Sequence, residues 1–169
     1  MTGQVPPDPR PIDPGVDIGH VHLKVADVDR ALDFYCGVLG FELTQRYGAD
    51  AAFVSAGGYH HHIGLNSWQS RGGAPPPPGT TGLFHVAIRY PTRAALADAL
   101  RRLAEAGVPL QGASDHGVSE ALYLADPDGN GIELCWDRPR EQWPQPRQGE
   151  AAGMYTRPLD LEGLLAAGP

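Results

Sequence analysis

A chain of 169 residues with 41% apolar content is long enough to enclose one proper core, and its composition is that of an ordinary globular domain. The formal net charge of −7 and the lack of any basic cluster make nucleic acid and anionic membrane surfaces poor partners and a small molecule the better one. The opening MTGQVPPDPRPIDPG has no apolar stretch of signal-peptide length, and no later run approaches the roughly 18 apolar residues of a membrane span, so a cytoplasmic protein is expected.

Residues 1–15 hold five prolines and almost nothing to bury, which reads as an irregular arm. In VDIGHVHLKV, Val21, Leu23 and Val25 alternate with His20, His22 and Lys24, the period of a strand with one apolar and one polar face. Both histidines then point the same way. Asp27 is a candidate N-cap, and Val28, Ala31, Leu32, Tyr35, Val38 and Leu39 recur at helical spacing until Gly40 ends the run. FELTQRY, DAAFVSAG and YHHHIGLNSW follow as three strand-like segments, so residues 16–68 read βαβββ. The two cysteines, Cys36 in the helical pattern and Cys135 in a later strand, offer neither a disulfide scaffold nor a metal spacing and are expected to be reduced, semi-buried thiols.

Residues 69–80, QSRGGAPPPPGT, combine glycines with four consecutive prolines, a stiff extended linker that marks a module boundary. GLFHVAIRY then repeats the earlier alternation, Phe84, Val86 and Ile88 against His85, Ala87 and Arg89, which matches His85 with His20 and Arg89 with Lys24. Residues 92–106 carry Ala and Leu at helical spacing, closed by Gly107 and Pro109, and strands near 109–113, 118–125 and 131–136 complete a second βαβββ over residues 81–137. Two similar modules usually pack about a pseudo-twofold axis, each curved sheet contributing half of one cavity. In the tail, residues 138–169, Trp143 is expected to pack on the domain and Leu159 to Ala167 to form a short helix beginning at Asp160. No chemistry is assigned to the tail.

The segment His116 to Trp136, HGVSEALYLADPDGNGIELCW, places the turn formers Asp126 to Asn130 between two apolar, partly alternating runs and so reads as a hairpin centred near Asp128. Tyr123 then faces Glu133, with Cβ atoms about 4.5–5.5 Å apart. A bland surface Tyr–Glu pair is the alternative. All seven histidines lie in or beside a predicted strand, and Glu133 is the carboxylate that sits at mid-strand between apolar neighbours, Ile132 and Leu134. Two histidines and one carboxylate on one side of a divalent metal, with other positions open, suit non-haem Fe(II) and O2 chemistry. The single residual positive charge of such a site favours anionic oxygen ligands.

IGHVHLKVADVDRALDFYCGVLGFEL, FHVAIRY and DPDGNGIEL resemble the vicinal-oxygen-chelate superfamily, which includes glyoxalases, fosfomycin-resistance enzymes and extradiol dioxygenases, over about residues 16–137. The resemblance implies an α+β fold, paired βαβββ modules forming a cupped, barrel-like mixed sheet around a metal site, with His20, His85 and Glu133 as ligands. HGVSEALYLADPDGNGIE is most similar to the type I extradiol catechol dioxygenases, whose pattern puts His116 and Tyr123 at catalytic positions. HHIGL resembles the segment in which that family carries its acid/base histidine, here His61. Strict alternation from Ile63 and Leu65 would select His62 instead; a bulge or strand start at Gly57-Gly58-Tyr59 would re-aim His61, and both remain in view. His22 and His62 are expected to line the substrate and O2 space.

What the resemblance implies is an Fe(II) catechol 2,3-dioxygenase, with Mn(II) as the alternative metal. It would open catechol or a substituted catechol to a 2-hydroxymuconic semialdehyde, and it could form a homo-oligomer as related folds do. The competing readings are a glyoxalase-type isomerase or lyase, which normally adds a second Glu from the first module's last strand, and a metal-free antibiotic-binding protein. One departure is plain: extradiol enzymes of this type carry two module pairs and this sequence has one, so a stand-alone single-domain enzyme is expected, with an inactive fragment as the alternative.

Overall fold

The computed structural model describes residues 10–150 and 152–168, so most of the proline-rich arm expected over residues 1–15 lies outside the described residues. The first module comprises β1 (Val21–Lys24), α1 (Val28–Leu32), β2 (Glu42–Tyr47), β3 (Ala51–Ser55) and β4 (Ile63–Asn66). The second comprises β5 (Val86–Arg89), α2 (Arg93–Glu105), β6 (Gly112–Asp115), β7 (Ser119–Ala125) and β8 (Gly131–Asp137), followed by β9 (Arg157–Pro158) and α3 (Leu161–Leu165). The sheets run β1-β4-β3-β2 and β5-β8-β7-β6-β9, and in each the first strand lies parallel to the last strand of its βαβββ unit. They are cupped, not closed into a barrel. Val21 pairs with Ile63 and Val86 with Ile132, so His20 and His85 each stand one residue before equivalent strands, the match drawn from the alternation.

Two helical patterns resolve differently. Thr92 caps α2, its hydroxyl accepting from Ala95 N–H at 3.1 Å, and Leu96, Ala97, Leu100 and Leu103 are buried, as their spacing predicts. Asp27 caps α1 through its bond from Arg30 N–H at 3.0 Å, but the helix widens after Leu32 into a π-helical stretch, Asp33–Val38. Phe34 and Tyr35 are both buried in that widened turn. Tyr35 uses it to reach across to the second module, where its hydroxyl donates to Asp126 Oδ2 at 3.0 Å.

The Asp126–Asn130 loop is the clasp between the modules. Asp126 accepts from Asp128 N–H at 2.9 Å and Asn130 N–H at 2.8 Å, closing the turn, while Asp128 Oδ1 accepts from Ala26 N–H at 2.9 Å and Arg30 at 2.6 Å. Beneath this clasp one cluster of buried apolar side chains draws on both modules, including Val25, Ala31 and Leu65 from the first and Leu96, Leu122 and Leu134 from the second. Each buried valine or leucine among them contributes roughly 1.5–3 kcal/mol by leaving water.

Several strands are shorter or shifted relative to their sequence patterns. β4 starts at Ile63 and β5 at Val86, leaving His61, His62 and His85 just upstream; β6 begins at Gly112 because Pro109, which has no N–H to give a ladder, still belongs to the turn out of α2. The tail supplies the unanticipated β9, a two-residue strand on β6, and the expected short helix, α3, capped by Asp160. Leu164 of α3 is fully buried, and Trp143 Nε1 donates to the Arg138 carbonyl at 2.8 Å. Among the described residues no helix is long and apolar enough to cross a membrane.

Candidate active site

The hairpin forms with the register that its turn residues predict: Ala125 pairs with Gly131, Leu124 with Ile132 and Tyr123 with Glu133. Because β5 lies on the other side of β8, with Ala87 directly beside Glu133, the residue two positions before Ala87 falls diagonally on the same face. That residue is His85, and its Nε2 stands 2.9 Å from Glu133 Oε2. The His85 ring centroid lies 5.8 Å from that of Tyr123, and the Tyr123 hydroxyl is 2.7 Å from His116 Nε2. His85, Glu133, Tyr123 and His116 therefore form one continuous row across three strands and the β6–β7 turn.

This row is only partly open to solvent. The side chains of His85 and Glu133 are 31% and 14% exposed, enough for a small ligand to reach them and little enough to strengthen charge interactions between them. Burial first, then the nearby Glu133 and Cys135 charges, holds the Tyr123 phenol above its ordinary range, so it is a donor at neutral pH. His85 Nδ1 is buried without a partner among the described residues.

Two donors that share a divalent ion at right angles, each about 2.1 Å from it, stand about 3 Å apart. His85 Nε2 and Glu133 Oε2 meet that spacing, and a neutral imidazole with a carboxylate is a donor set suited to a borderline divalent ion. The pair fits such a group. His20 lies with the first module's histidines instead, its ring 4.4 Å from that of His61, and among the described residues no three His, Cys, Asp or Glu side chains are gathered closely enough to hold an ion.

The first-module histidines make a second row. From His20 the contacts pass to His61, then to Phe53 at 5.0 Å, and from Phe53 to His22 at 5.8 Å, so His20 and His22 do share a face. His60 Nδ1 lies 2.7 Å from His61 Nδ1, a contact that needs one ring to donate and the other to accept. Desolvation and then the neighbouring His20, His60, His22 and His62 hold His61 below the ordinary histidine range, and His22 is lowered by burial and His20. His62 turns away, its Nδ1 accepting from Ala56 N–H at 3.3 Å and meeting Ser55 Oγ at 3.0 Å. Of the two adjacent candidates, His61 is the one beside His20.

A cavity of about 310 Å³ opens here, lined by Thr44, Gln45, Tyr47, Phe53, His60 and His61. The lining comes from the first module alone.

The registers also reveal a correspondence that the strand patterns did not expose. His22 pairs with Gly64 as Ala87 pairs with Glu133, so the first-module counterpart of Glu133 is Gly64, not His61 or His62. A side chain there would press on the His22 ring, whose nearest atom lies 2.9 Å from a Cβ placed on Gly64. The sequence offered no signal for two further contacts, the Tyr155 carbonyl at 3.0 Å and Thr156 Oγ1 at 3.2 Å from His116 Nδ1, because both come from the tail.

Residues 17–134 match the family model described as Glyoxalase/Bleomycin resistance protein/Dioxygenase superfamily. A Bacillus subtilis protein named catechol-2,3-dioxygenase is 43% identical over 88% of this chain and 50% of its own length. A Rhodococcus globerulus protein named biphenyl-2,3-diol 1,2-dioxygenase 3 is 31% identical over 71% of this chain and 63% of its own. The chain thus spans about half to two thirds of the length of these curated relatives. Among solved structures, a glyoxalase/dioxygenase from Nostoc punctiforme superposes with a TM-score of 0.62 at 19% identity, covering 77% of this chain and 98% of that one, a likeness of fold.

Proposed function

We propose that this chain, which belongs to the glyoxalase/bleomycin resistance protein/dioxygenase superfamily, acts as an Fe(II)-dependent extradiol dioxygenase. It would join O2 to catechol or a substituted catechol and release a 2-hydroxymuconic semialdehyde, both oxygen atoms ending in the product. The observation that carries the reading is the row His85, Glu133, Tyr123 and His116 on one face of the second sheet. Support comes also from the 43% identical relative named catechol-2,3-dioxygenase.

In this reading His85 and Glu133 would hold Fe(II) or, alternatively, Mn(II), and His20, which stands beside His61 here, would have to move toward them to complete the set. The bound ion would supply Lewis acidity toward the diol oxygens and a route for electrons to O2. The protein's own groups do the rest. His61, unprotonated at neutral pH, accepts the diol proton and later returns it, the double duty of a general acid/base. Tyr123, the register partner of Glu133, presents its hydroxyl oxygen beside the site, and His116 orients that hydroxyl by accepting from it. His22, on the face of His20, would line the O2 side, whereas His62 is held by Ser55 and Ala56.

A glyoxalase-type site would need a second carboxylate from the first module, and Gly64, the register counterpart of Glu133, has none to give. The test is anaerobic loading with Fe(II), followed by catechol and O2. The expected result is a ring-opened, strongly absorbing product with one O2 consumed per catechol, and His61→Phe slows turnover while iron stays bound. Iron uptake without O2 consumption would sink the dioxygenase reading.

A further inference from the structure

The tail, outside the matched residues 17–134, closes on His116 from two directions. Tyr155 N–H donates to the His116 carbonyl at 3.2 Å, and the Tyr155 carbonyl lies 3.0 Å from His116 Nδ1. A carbonyl oxygen only accepts, so that second contact requires the proton on Nδ1. A neutral imidazole carries one N–H. Nε2 is then a bare lone pair, and the 2.7 Å contact with Tyr123 is the phenol donating. Thr156 Oγ1, 3.2 Å from Nδ1, is a second acceptor for the same proton.

We propose that Tyr155 and Thr156 are positioning residues for His116, holding its imidazole in the Nδ1–H tautomer so that Nε2 receives the Tyr123 hydroxyl. The seat for this clasp is built into the fold. Gly117 follows His116 at φ +78°, and a Cβ there would come within 2.6 Å of Tyr155 Cε1 and 2.7 Å of Pro144 Cγ. Only glycine allows the tail to close so tightly. The Arg157 guanidinium covers the Tyr155 ring at 4.4 Å, and pairing of Asp115 with Arg157 fixes the next residue onto β6. Further along, Arg93 donates to the Gly163 carbonyl and Arg101 to that of Leu165, each at 2.8 Å, so the segment is anchored beyond the clasp as well.

The catalytic meaning of the clasp rests on the dioxygenase reading; the tautomer does not. The experiment is nitrogen NMR on the full chain, metal-free, with isotope-labelled histidine. Free histidine favours the Nε2–H form. Here the Nδ1–H form of His116 is expected to lead by about tenfold, the weight of one net hydrogen bond, and a spectrum dominated by Nε2–H overturns the proposal. Tyr155→Ala should lower that ratio about threefold or more while Tyr155→Phe, which keeps the packed ring, preserves it. Thr156→Val, at an exposed position, should lower it by a smaller factor and serves where Tyr155→Ala fails to fold. An unchanged ratio in Thr156→Val and in any folded Tyr155→Ala removes the tail from the assignment. Because the spectrum needs neither iron nor catechol, loss of ring cleavage with the ratio intact counts against the dioxygenase reading alone. Ring cleavage with an Nε2–H spectrum counts against the clasp alone.

Discussion

Tyr123 stands directly across from Glu133 on neighbouring antiparallel strands while its hydroxyl, 2.7 Å from His116 Nε2, points along the row away from His85. The phenol is thus tied to the carboxylate through the backbone register and to the imidazole through a hydrogen bond. Removing the hydroxyl tests this arrangement with little disturbance to the sheet. Tyr123→Phe should cost about 1 kcal/mol of stability, since the bond it loses is half-buried and neutral. Turnover of the Fe(II)-loaded protein should fall about tenfold with bound iron unchanged, because the site loses the phenol oxygen that His116 holds in place, an interaction of the order of one hydrogen bond. Steady-state kinetics beside a metal assay decide it; wild-type turnover would remove Tyr123 from the chemistry.

The tail's docking makes a separate prediction. Glu120 is 4% exposed at its side chain and accepts from Arg93 Nε at 2.7 Å and from an Arg138 N–H at 2.8 Å, while Arg93 also holds the Gly163 carbonyl. Glu120→Gln leaves two half-buried guanidiniums facing a neutral amide. A loss of about 2 kcal/mol is expected, because Arg93 loses its carboxylate partner while Arg138 keeps its pair with Asp115. Denaturant unfolding measures it, and protease cutting after Arg157 should accelerate in the same variant. Stability within a few tenths of a kcal/mol of the parent would show the network to be ornamental.

What the sequence made legible and what it hid follow one physical divide. Short-range chemistry was readable: the turn formers Asp126 to Asn130 set the hairpin register, and with it the Tyr123–Glu133 pairing, while the repeated alternation matched His20 with His85. Questions that depend on where a strand begins were not. Parity could not choose between His61 and His62 because β4 starts at Ile63, beyond both, and the identity of Gly64 as the counterpart of Glu133 required the parallel β1–β4 and β5–β8 registers. The Tyr155 carbonyl left no trace at all in the sequence, since every residue owns one and only the path of the tail brings this one to His116.

Cys135 shows how the site's surroundings control a thiol. Burial first, then the adjacent Glu133 and Asp137, pushes it up to about 11, and Cys36 is raised by burial alone. Thiolate is the reactive form, so both should resist alkylation in the native protein at pH 8, with Cys135 slowed about a hundredfold or more against a free cysteine. Mass spectrometry after timed iodoacetamide treatment, with an unfolded control, reads both sites. Rapid modification of native Cys135 would mean that the β8 face near Glu133 is more open than its 7% exposure indicates.

The Tyr35–Asp126 bond should dominate the alkaline limb of stability. Burial, and then the charge and hydrogen bond of Asp126, raise the Tyr35 phenol far above its usual range. Tyrosine in the unfolded chain ionises near about pH 10, so above that the unfolded state sheds a proton which the folded state must keep. The contribution is therefore fully present below about pH 10 and is lost as pH rises beyond it, by up to about 1.4 kcal/mol per pH unit. Tyr35→Phe removes this slope together with the bond to Asp126, so the variant should be about 1.5 kcal/mol less stable at pH 7 and should converge on the parent at high pH. Urea unfolding from pH 7 to 11 gives both curves. Parallel curves would mean that Tyr35 titrates alike in both states, and the clasp between the modules would then rest on Asp128, Ala26 and Arg30.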